Sequence, residues 1–170
     1  MPTMDDVHRK FGAASEAAQL LETELGTSQL FFRAVDEGLI TPTLEIDSRR
    51  AAELLARIDR QTLGRHIKET TQVTDAFDSL EPLLAAALRE RNRLSHHFYR
   101  EHNIRRATDA GRAVMMADLE SIHATLLDAY KAVMLLSGID LDALVEHGAE
   151  MADNAEPAVV DDAAIPHLPI

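Results

Sequence analysis

The sequence predicts an all-α protein, an up-and-down helical bundle with short additional helices. Apolar residues recur at alternating spacings of three and four in several long segments, no segment alternates as a strand does, and glycines or prolines separate the periodic segments. A chain of 170 residues is long enough for one domain with its own core. We therefore expect one helical domain over residues 1–150 and a tail over residues 151–170.

The first helix is expected to begin behind Thr3, a suitable N-cap, and to end at Gly26. Its apolar stripe consists of Met4, Val7, Phe11, Ala14, Ala18, Leu21 and Leu25. A short helix from about Ser28 to Glu37 should stop at Gly38. A third amphipathic helix is expected from residue 47 or 48 to about residue 62, where Gly64 would end it.

A short helical turn should carry Leu63 and Ile67 into the core before the next long helix. That helix is expected to begin near Ser79, because Pro82 lacks an amide proton and fits best in a first turn. Phe77 would lie in a preceding turn. The residues predicted to point toward the core are Leu80, Leu84, Ala87, Leu88 and Leu94.

The last long helix should begin between Thr108 and Arg112, end at Gly138 and pack antiparallel against the helix before it, with these two helices at the centre of the bundle. Its stripe is Met115, Leu119, Ile122, Leu126, Ala129, Val133 and Leu136. A short helix is expected from about Leu141 to His147. Residues 151–170 hold three prolines and several acids without periodicity, which predicts a disordered tail.

The composition excludes some functions. The chain has no cysteine, so neither disulfides nor thiolate metal sites are available, and a cytoplasmic location is the default. The first residues are acidic and lead into no apolar run, and no segment approaches the roughly 20 apolar residues that span a bilayer. The expectation is a soluble protein without a membrane partner.

Charge is distributed unevenly along the chain. The net charge is −12, but residues from 140 onward hold eight acids and neither lysine nor arginine, which leaves 21 acids against 17 bases in residues 1–139. Between residues 89 and 112, seven arginines face three acids. Five of these arginines are candidate RNA-binding residues: Arg89, Arg93, Arg100, Arg105 and Arg106. The alternative is a solvated helix face whose arginines pair with neighbouring acids.

A possible catalytic set lies inside this basic segment, at Arg91, Asn92, His96 and His97. Metal-free RNA cleavage needs a base for the ribose 2′-hydroxyl, an acid for the departing 5′-oxygen and positive charge beside the phosphorus. Imidazole exchanges protons near neutral pH, and guanidinium binds two phosphate oxygens at once. These residue types therefore suit RNA cleavage.

The string from Arg91 to His96 resembles the Arg-x4-6-His motif of HEPN-domain proteins, many of which are metal-independent ribonucleases. The resemblance implies an acid/base role for His96, a phosphate-binding role for Arg91 and an orienting role for Asn92. It further implies a HEPN-like bundle, cleavage to a 2′,3′-cyclic phosphate, no cofactor and no metal, and a toxin or defence role. His97 gives a second match, with five intervening residues, so either histidine could be the acid/base.

Helix geometry qualifies the assignment. At ~100° per residue, Asn92 and His96 share a face, whereas Arg91 and His96 diverge by ~140°. HEPN proteins combine two copies of the motif in one cleft, so the resemblance implies a homodimer.

Tyr99 is a candidate modification site. His97-Phe98-Tyr99 matches the His-x-Tyr string of some HEPN toxins, whose tyrosine is nucleotidylated by a partner antitoxin. If His96 is the motif histidine, the corresponding position is Phe98, which cannot be modified. A nucleotidyltransferase-type antitoxin is therefore an open expectation.

Two competing interpretations remain. The same bundle could be a non-catalytic module for dimerisation or partner binding, in which Arg91 and Asn92 form a structural polar network. A metal site is less favoured; its ligands would come from Glu90, His96, His97, Glu101 and His102.

Overall fold

The computed structural model of the chain describes residues 1–39, 48–73 and 75–145. All regular elements in these ranges are helical, which confirms the predicted all-α bundle. The elements are α1 (Met4–Asp36), α2 (Ser48–Ile58), α3 (Leu63–Val73), a 3₁₀ helix (Asp75–Leu80), α4 (Glu81–His96), α5 (Phe98–Glu101), a second 3₁₀ helix (Arg105–Ala107) and α6 (Asp109–Leu136). Among the described helices, none combines the length and apolar character needed to cross a membrane.

Helix α1 begins where the sequence predicts but does not end there. The Thr3 hydroxyl accepts from the Asp6 amide at 3.2 Å, and the Asp6 carboxylate accepts from the Thr3 amide at 2.8 Å, which forms a capping box. The predicted break at Gly26 is wrong, because α1 continues to Asp36. At Gly26 the helix packs closely: a Cβ there would lie 3.5 Å from both Ile58 and His66. This packing outweighs the ~1 kcal/mol that an interior glycine costs a helix.

The end of α1 follows from Gly38. This glycine has a φ of +64°, and the Leu39 amide donates to the Ala34 carbonyl at 2.8 Å, the pattern of a glycine-terminated helix. Leu39 is buried in a small second core between α1 and α2, formed by Leu30, Ala34, Leu39, Leu54 and Ile58.

Helices α2 and α3 differ from the prediction. Helix α2 ends at Ile58, about four residues early, and Gly64 lies in the first turn of α3 instead of ending a helix. The expected short turn is an 11-residue helix, whose start is set by the Thr62 carbonyl accepting from the amides of residues 65 and 66. Leu63 is buried and Ile67 packs against the core, as predicted.

The start of α4 lies close to its predicted position. Pro82 is in the first turn, and Phe77 is buried in the preceding 3₁₀ helix. The helix begins at Glu81, two residues after the predicted Ser79. Leu84, Ala87 and Leu94 are buried, and Leu80 and Leu88 pack against them, which confirms the predicted core face.

Helix α6 is bounded by its predicted caps. The Thr108 hydroxyl accepts from the Gly111 amide at 3.1 Å, and Gly138 has a φ of +82°. The predicted stripe is buried except for Leu136, which is 43% exposed, and Met134 is buried near that end instead. The most extensive helix pairing in the main core is between α1 and α6, so the prediction that α4 and α6 form the centre is wrong.

The chain divides into two units, residues 1–139 and residues 140–170. In the second unit the structure describes residues 140–145. There the Asp140 carboxylate accepts from the amides of Asp142 and Ala143 and caps a short helix over residues 141–145. The predicted end of this helix at His147 and the predicted tail over 151–170 lie outside the described residues.

Candidate functional site

The two candidate acid/base residues lie where α4 ends. His96 is the last residue of α4, and His97 separates it from α5. Both side chains are exposed, and their ring centroids are 6.3 Å apart. Either imidazole can therefore meet a ligand in solvent.

Arg91 is directed toward α1. Its Nη2 atom lies 3.6 Å from Glu22 Oε2, and its Nη1 atom donates to Asn92 Oδ1 at 3.3 Å. Among the described contacts, none joins Arg91 to His96 or His97. The structure thus brings Arg91 and Asn92 together, whereas Asn92 has no described contact with His96, the residue one turn later on the same face of an ideal helix.

Arg93 is the centre of an ion-pair network. It donates twice to Asp118, from Nη1 at 2.8 Å and from Nη2 at 2.5 Å, and once each to Glu90 at 3.0 Å and Glu101 at 3.1 Å. The hydrogen bonds with Asp118 raise the pKa of Arg93, and they lower the pKa of the Asp118 carboxyl. Of all the predicted RNA-binding arginines, this one is thus the most fully engaged within the protein.

His102 belongs to the same network. Its ring is 2% exposed and lies 4.6 Å from the Phe98 ring. Its Nε2 atom is 2.6 Å from Asp118 Oδ2, and its Nδ1 atom is 3.1 Å from Arg105 Nη1. Since a carboxylate only accepts and a guanidinium only donates, the compatible form of His102 is the neutral imidazole with its proton on Nε2.

Asp118 is the functional residue that sequence reasoning missed. It lies on α6, three residues after the buried Met115 and four before the buried Ile122. An acid so close to a core stripe needs a cationic or hydrogen-bonding partner. That signal was available in the sequence, but it does not tell which of the arginines is the partner.

Glu101, His102 and Asp118 also place their ligand atoms within 4.8 Å of one another. Histidine and carboxylate ligands are typical of zinc sites. Here, however, Arg93 donates to both carboxylates and Arg105 contacts the free nitrogen of His102. A divalent ion would have to displace one guanidinium and share the site with a second, so these three residues act as an ion-pair network. His96, His97 and Glu90 are not in the cluster.

The other arginines of the segment lie on the surface. Arg89, Arg100, Arg105 and Arg106 are exposed. A shallow depression of about 370 Å³ is lined by Arg100, Glu101, Asn103, Ile104 and Arg105. Arg112 is instead held in place by the Pro2 carbonyl at 2.7 Å and by an ion pair with Asp109.

Tyr99, the candidate modification site, is half-buried. Its ring lies 5.2 Å from the Phe11 ring and 5.3 Å from the Phe98 ring, and the Arg106 guanidinium is 5.7 Å from its centroid. Burial raises the pKa of the Tyr99 phenol, although the Arg106 charge opposes the shift. The ring therefore belongs to the edge of the core, and the phenol is neutral at neutral pH.

Comparison of the chain with protein-family models, with curated proteins and with solved structures found no match. The case for a function therefore rests on the residues and their geometry.

Proposed function

We propose that the chain is a metal-independent endoribonuclease of the HEPN type. The observation that supports this most is the pair of exposed histidines at the end of α4, which three exposed arginines, at 100, 105 and 106, follow along the chain. One imidazole takes the proton of a ribose 2′-hydroxyl, and the 2′-oxygen of that ribose attacks the adjacent phosphorus. The bond from phosphorus to the 5′-oxygen breaks, and a second acid protonates the leaving oxygen, which gives a 2′,3′-cyclic phosphate and a 5′-hydroxyl.

In this proposal His96 is the first choice for the acid/base and His97 the second. Arg91 binds the phosphate, and Asn92 orients it through the hydrogen bond that joins the two side chains. The exposed arginines at 89, 100, 105 and 106 bind the flanking phosphates. Arg93 is left out of the RNA-binding set because its guanidinium is occupied by three carboxylates.

The proposal includes a homodimer. Since Arg91 turns toward α1 while His96 is exposed at the end of α4, one copy does not bring the two side chains together. Ile104, which lines the same depression as Arg100 and Arg105, is 88% exposed. Apolar side chains at such exposure favour an interface, and a two-fold axis beside them would place two motifs in one cleft.

The rival function is a non-catalytic dimerisation or partner-binding module. The contacts of Arg91 with Glu22 and Asn92 favour it, because they give Arg91 a structural role without any substrate. A nucleotidyltransferase-type antitoxin acting on Tyr99 is a further part of the proposal to test, although the tyrosine ring is packed against Phe11.

The decisive experiment is cleavage of end-labelled single-stranded RNA in excess EDTA, with analysis of the product ends. We expect the wild type to cut and the variants Arg91→Ala and His96→Ala to be inactive. The control His123→Ala, on α6, should remain active. Glu22→Gln separates a phosphate-binding role of Arg91 from a structural one, because it removes the ion pair but keeps the arginine. If Arg91 binds phosphate, the variant should retain cleavage. If Arg91 acts through its pair with Glu22, the variant should lose cleavage.

Mixing the two inactive variants tests the shared cleft. If each site takes Arg91 from one copy and His96 from the other, a mixed dimer has one intact site of two, so random mixing should restore about a quarter of the activity. Ile104→Lys should abolish both dimerisation and this recovery. Absence of cleavage by the wild type on several RNAs would favour the non-catalytic module.

A further inference from the structure

A pocket that is not lined by His96 or His97 lies between α1, α2 and α3. It has a volume of about 290 Å³, room for about ten water molecules at ~30 Å³ each. Its apolar lining includes Leu30, Leu55 and Ile58, and Gly26 contributes bare backbone. The polar lining consists of Glu22, Thr23, Thr27, Asp59, Gln61 and His66. His66 is 4% exposed, so this pocket contains a buried titratable group that the proposed cleavage does not use.

The orientation of the polar groups is fixed by Glu69, behind the pocket. Its carboxylate accepts four hydrogen bonds, from Gln29 Nε2 at 2.7 Å, Gln61 Nε2 at 3.0 Å, Arg33 Nη2 at 2.9 Å and Arg65 Nε at 2.7 Å. These donors, Arg65 foremost, lower the pKa of Glu69, so it is an ionised group that can only accept. Both glutamines must therefore direct their NH₂ groups to Glu69.

This arrangement sets the tautomer of His66. Because Gln29 donates through Nε2, its Oε1 atom is an acceptor, and that oxygen is 3.1 Å from His66 Nδ1. The proton of the neutral imidazole must then be on Nδ1, which leaves a lone pair on Nε2. Burial lowers the pKa of His66, in agreement with a neutral ring.

Gln61 is fixed in the same way. With its NH₂ group on Glu69, its Oε1 atom is buried and has no hydrogen-bond partner among the described residues. An unpaired buried acceptor costs ~1–3 kcal/mol unless a ligand or water satisfies it. Asp59 adds a carboxylate that forms no ion pair within the described part of the chain, and the Glu22 carboxylate is shared with Arg91.

Most of the polar atoms that line the pocket are acceptors: two carboxylates, the buried Gln61 oxygen and, on the neutral ring, the Nε2 lone pair of His66. The Thr27 hydroxyl also lines the pocket, but it donates its proton to the Thr23 carbonyl. We infer that the pocket binds a small protonated primary amine with a short aliphatic body, whose N–H groups donate to these acceptors and whose carbon chain lies on Leu30, Leu55 and Ile58. Anions are excluded by the two carboxylates. This site is independent of the proposed RNA cleavage.

Gly26 supports the assignment. A Cβ at this position would lie 3.5 Å from His66 Cε1, the ring atom between the two nitrogens, and 3.5 Å from Ile58 Cγ2. The Cε1–Nδ1 edge of the imidazole, with Nδ1 at 4.0 Å, therefore faces the helix surface that a side chain at residue 26 would occupy. A glycine costs the middle of a 33-residue helix ~1 kcal/mol relative to alanine and keeps this space open.

The test is NMR of the full ¹⁵N-labelled chain at a pH above 7, with the His66 ring nitrogens as the reporter. The free protein should show the Nδ1–H tautomer, and butylammonium should move the Nε2 signal saturably with a millimolar dissociation constant. Tetramethylammonium, which has the charge but no N–H, and 1-butanol, which lacks the charge, should be at least tenfold weaker.

Variants keep the proposal falsifiable. Asp59→Asn and Gln61→Leu should each weaken butylammonium about tenfold, while Asp128→Asn, an exposed acid on α6, should not change it. Gly26→Ala is compatible with folding, because the new methyl group meets only ordinary contacts, and it should weaken binding by narrowing the pocket. An Nε2–H tautomer in the free protein, an equal response to 1-butanol, or no saturable shift, which would mean a water-filled pocket only, would each overturn it.

Discussion

Replacing Arg93 with methionine tests whether the most engaged arginine of the basic segment has a structural role. Methionine keeps the helix propensity and most of the aliphatic stem, so the variant removes mainly the guanidinium. Two hydrogen bonds to Asp118, at 2.5 and 2.8 Å, are lost together with one each to Glu90 and Glu101. Three carboxylates then lack the cation that holds them together.

The magnitude follows from the exposure of these groups. A hydrogen bond to a charged group contributes ~1.5–3 kcal/mol when it is well shielded. The side chains of Arg93 and Asp118 are 28% and 23% exposed, so solvent screening reduces that figure. Glu90 and Glu101 are exposed to a similar or greater extent and contribute ~0–1 kcal/mol each. We expect Arg93→Met to lower the free energy of unfolding by ~2–3 kcal/mol.

Arg100→Met is the matched control, because Arg100 is exposed and forms no ion pair among the described residues. Its free energy of unfolding should stay within ~0.5 kcal/mol of the wild type. Urea denaturation followed by circular dichroism measures both variants. If the dependence of the unfolding free energy on urea concentration is unchanged and Arg93→Met unfolds at the wild-type midpoint, the ion-pair network does not stabilise the fold.

The same two variants separate structure from RNA binding. If RNA binds as proposed, Arg100→Met should reduce the slope of log K against log salt by ~0.7, the value for one phosphate contact on a single strand. Arg93→Met, measured where it remains folded, should leave that slope unchanged. If Arg93→Met alone reduced the salt dependence of RNA binding, Arg93 would contact the RNA, which would contradict its assignment to the ion-pair network.

Two further predictions concern backbone packing and the buried His66. Gly111→Ala should lower the free energy of unfolding by ~1–3 kcal/mol, because the new Cβ would overlap the Arg105 backbone. Gly12 has open space around it, so Gly12→Ala should stabilise α1 by ~0.5–1 kcal/mol. Urea midpoints of both variants check these values. The second concerns His66, whose folded-state pKa lies below the unfolded value of 6.5. The stability that the neutral His66 ring contributes is complete above pH 6.5 and is lost as the pH falls toward the folded-state pKa. Acidification from pH ~7.5 to pH ~5.5 should therefore lower the urea midpoint more in the wild type than in His66→Asn.

Helix positions could be predicted where the signal is local. The Thr3 cap, the start of α6 between Thr108 and Arg112 and the glycine ends at 38 and 138 depend on residues within one or two turns, and all are found as predicted. The stripe of α6 is found as predicted except at Leu136. Gly26 shows the limit of such signals. A glycine after a periodic run has the form of a helix end, but α2 and α3 pack against it and the helix continues through it.

The candidate site could be predicted only in part, for the same reason. Spacing along α4 indicates which residues share a face, and the described contacts include none between Arg91 and His96. It does not indicate which acids on other helices reach which arginine. Glu22 lies 69 positions before Arg91, and Asp118 lies 25 positions after Arg93, so both pairings depend on how α1 and α6 pack.

These pairings decide how the basic segment can function. By composition its arginines are equivalent, and an RNA-binding surface could include any of them. In the folded protein Arg93 and Arg112 form ion pairs that stabilise the fold, Arg91 lies against Glu22, and the arginines at 89, 100, 105 and 106 are exposed. A phosphate must compete with a carboxylate for Arg91 but not for Arg100. If Arg91 binds a substrate phosphate as proposed, that binding includes the free energy of breaking the pair with Glu22, and this makes Glu22→Gln the variant that distinguishes a catalytic arginine from a structural one.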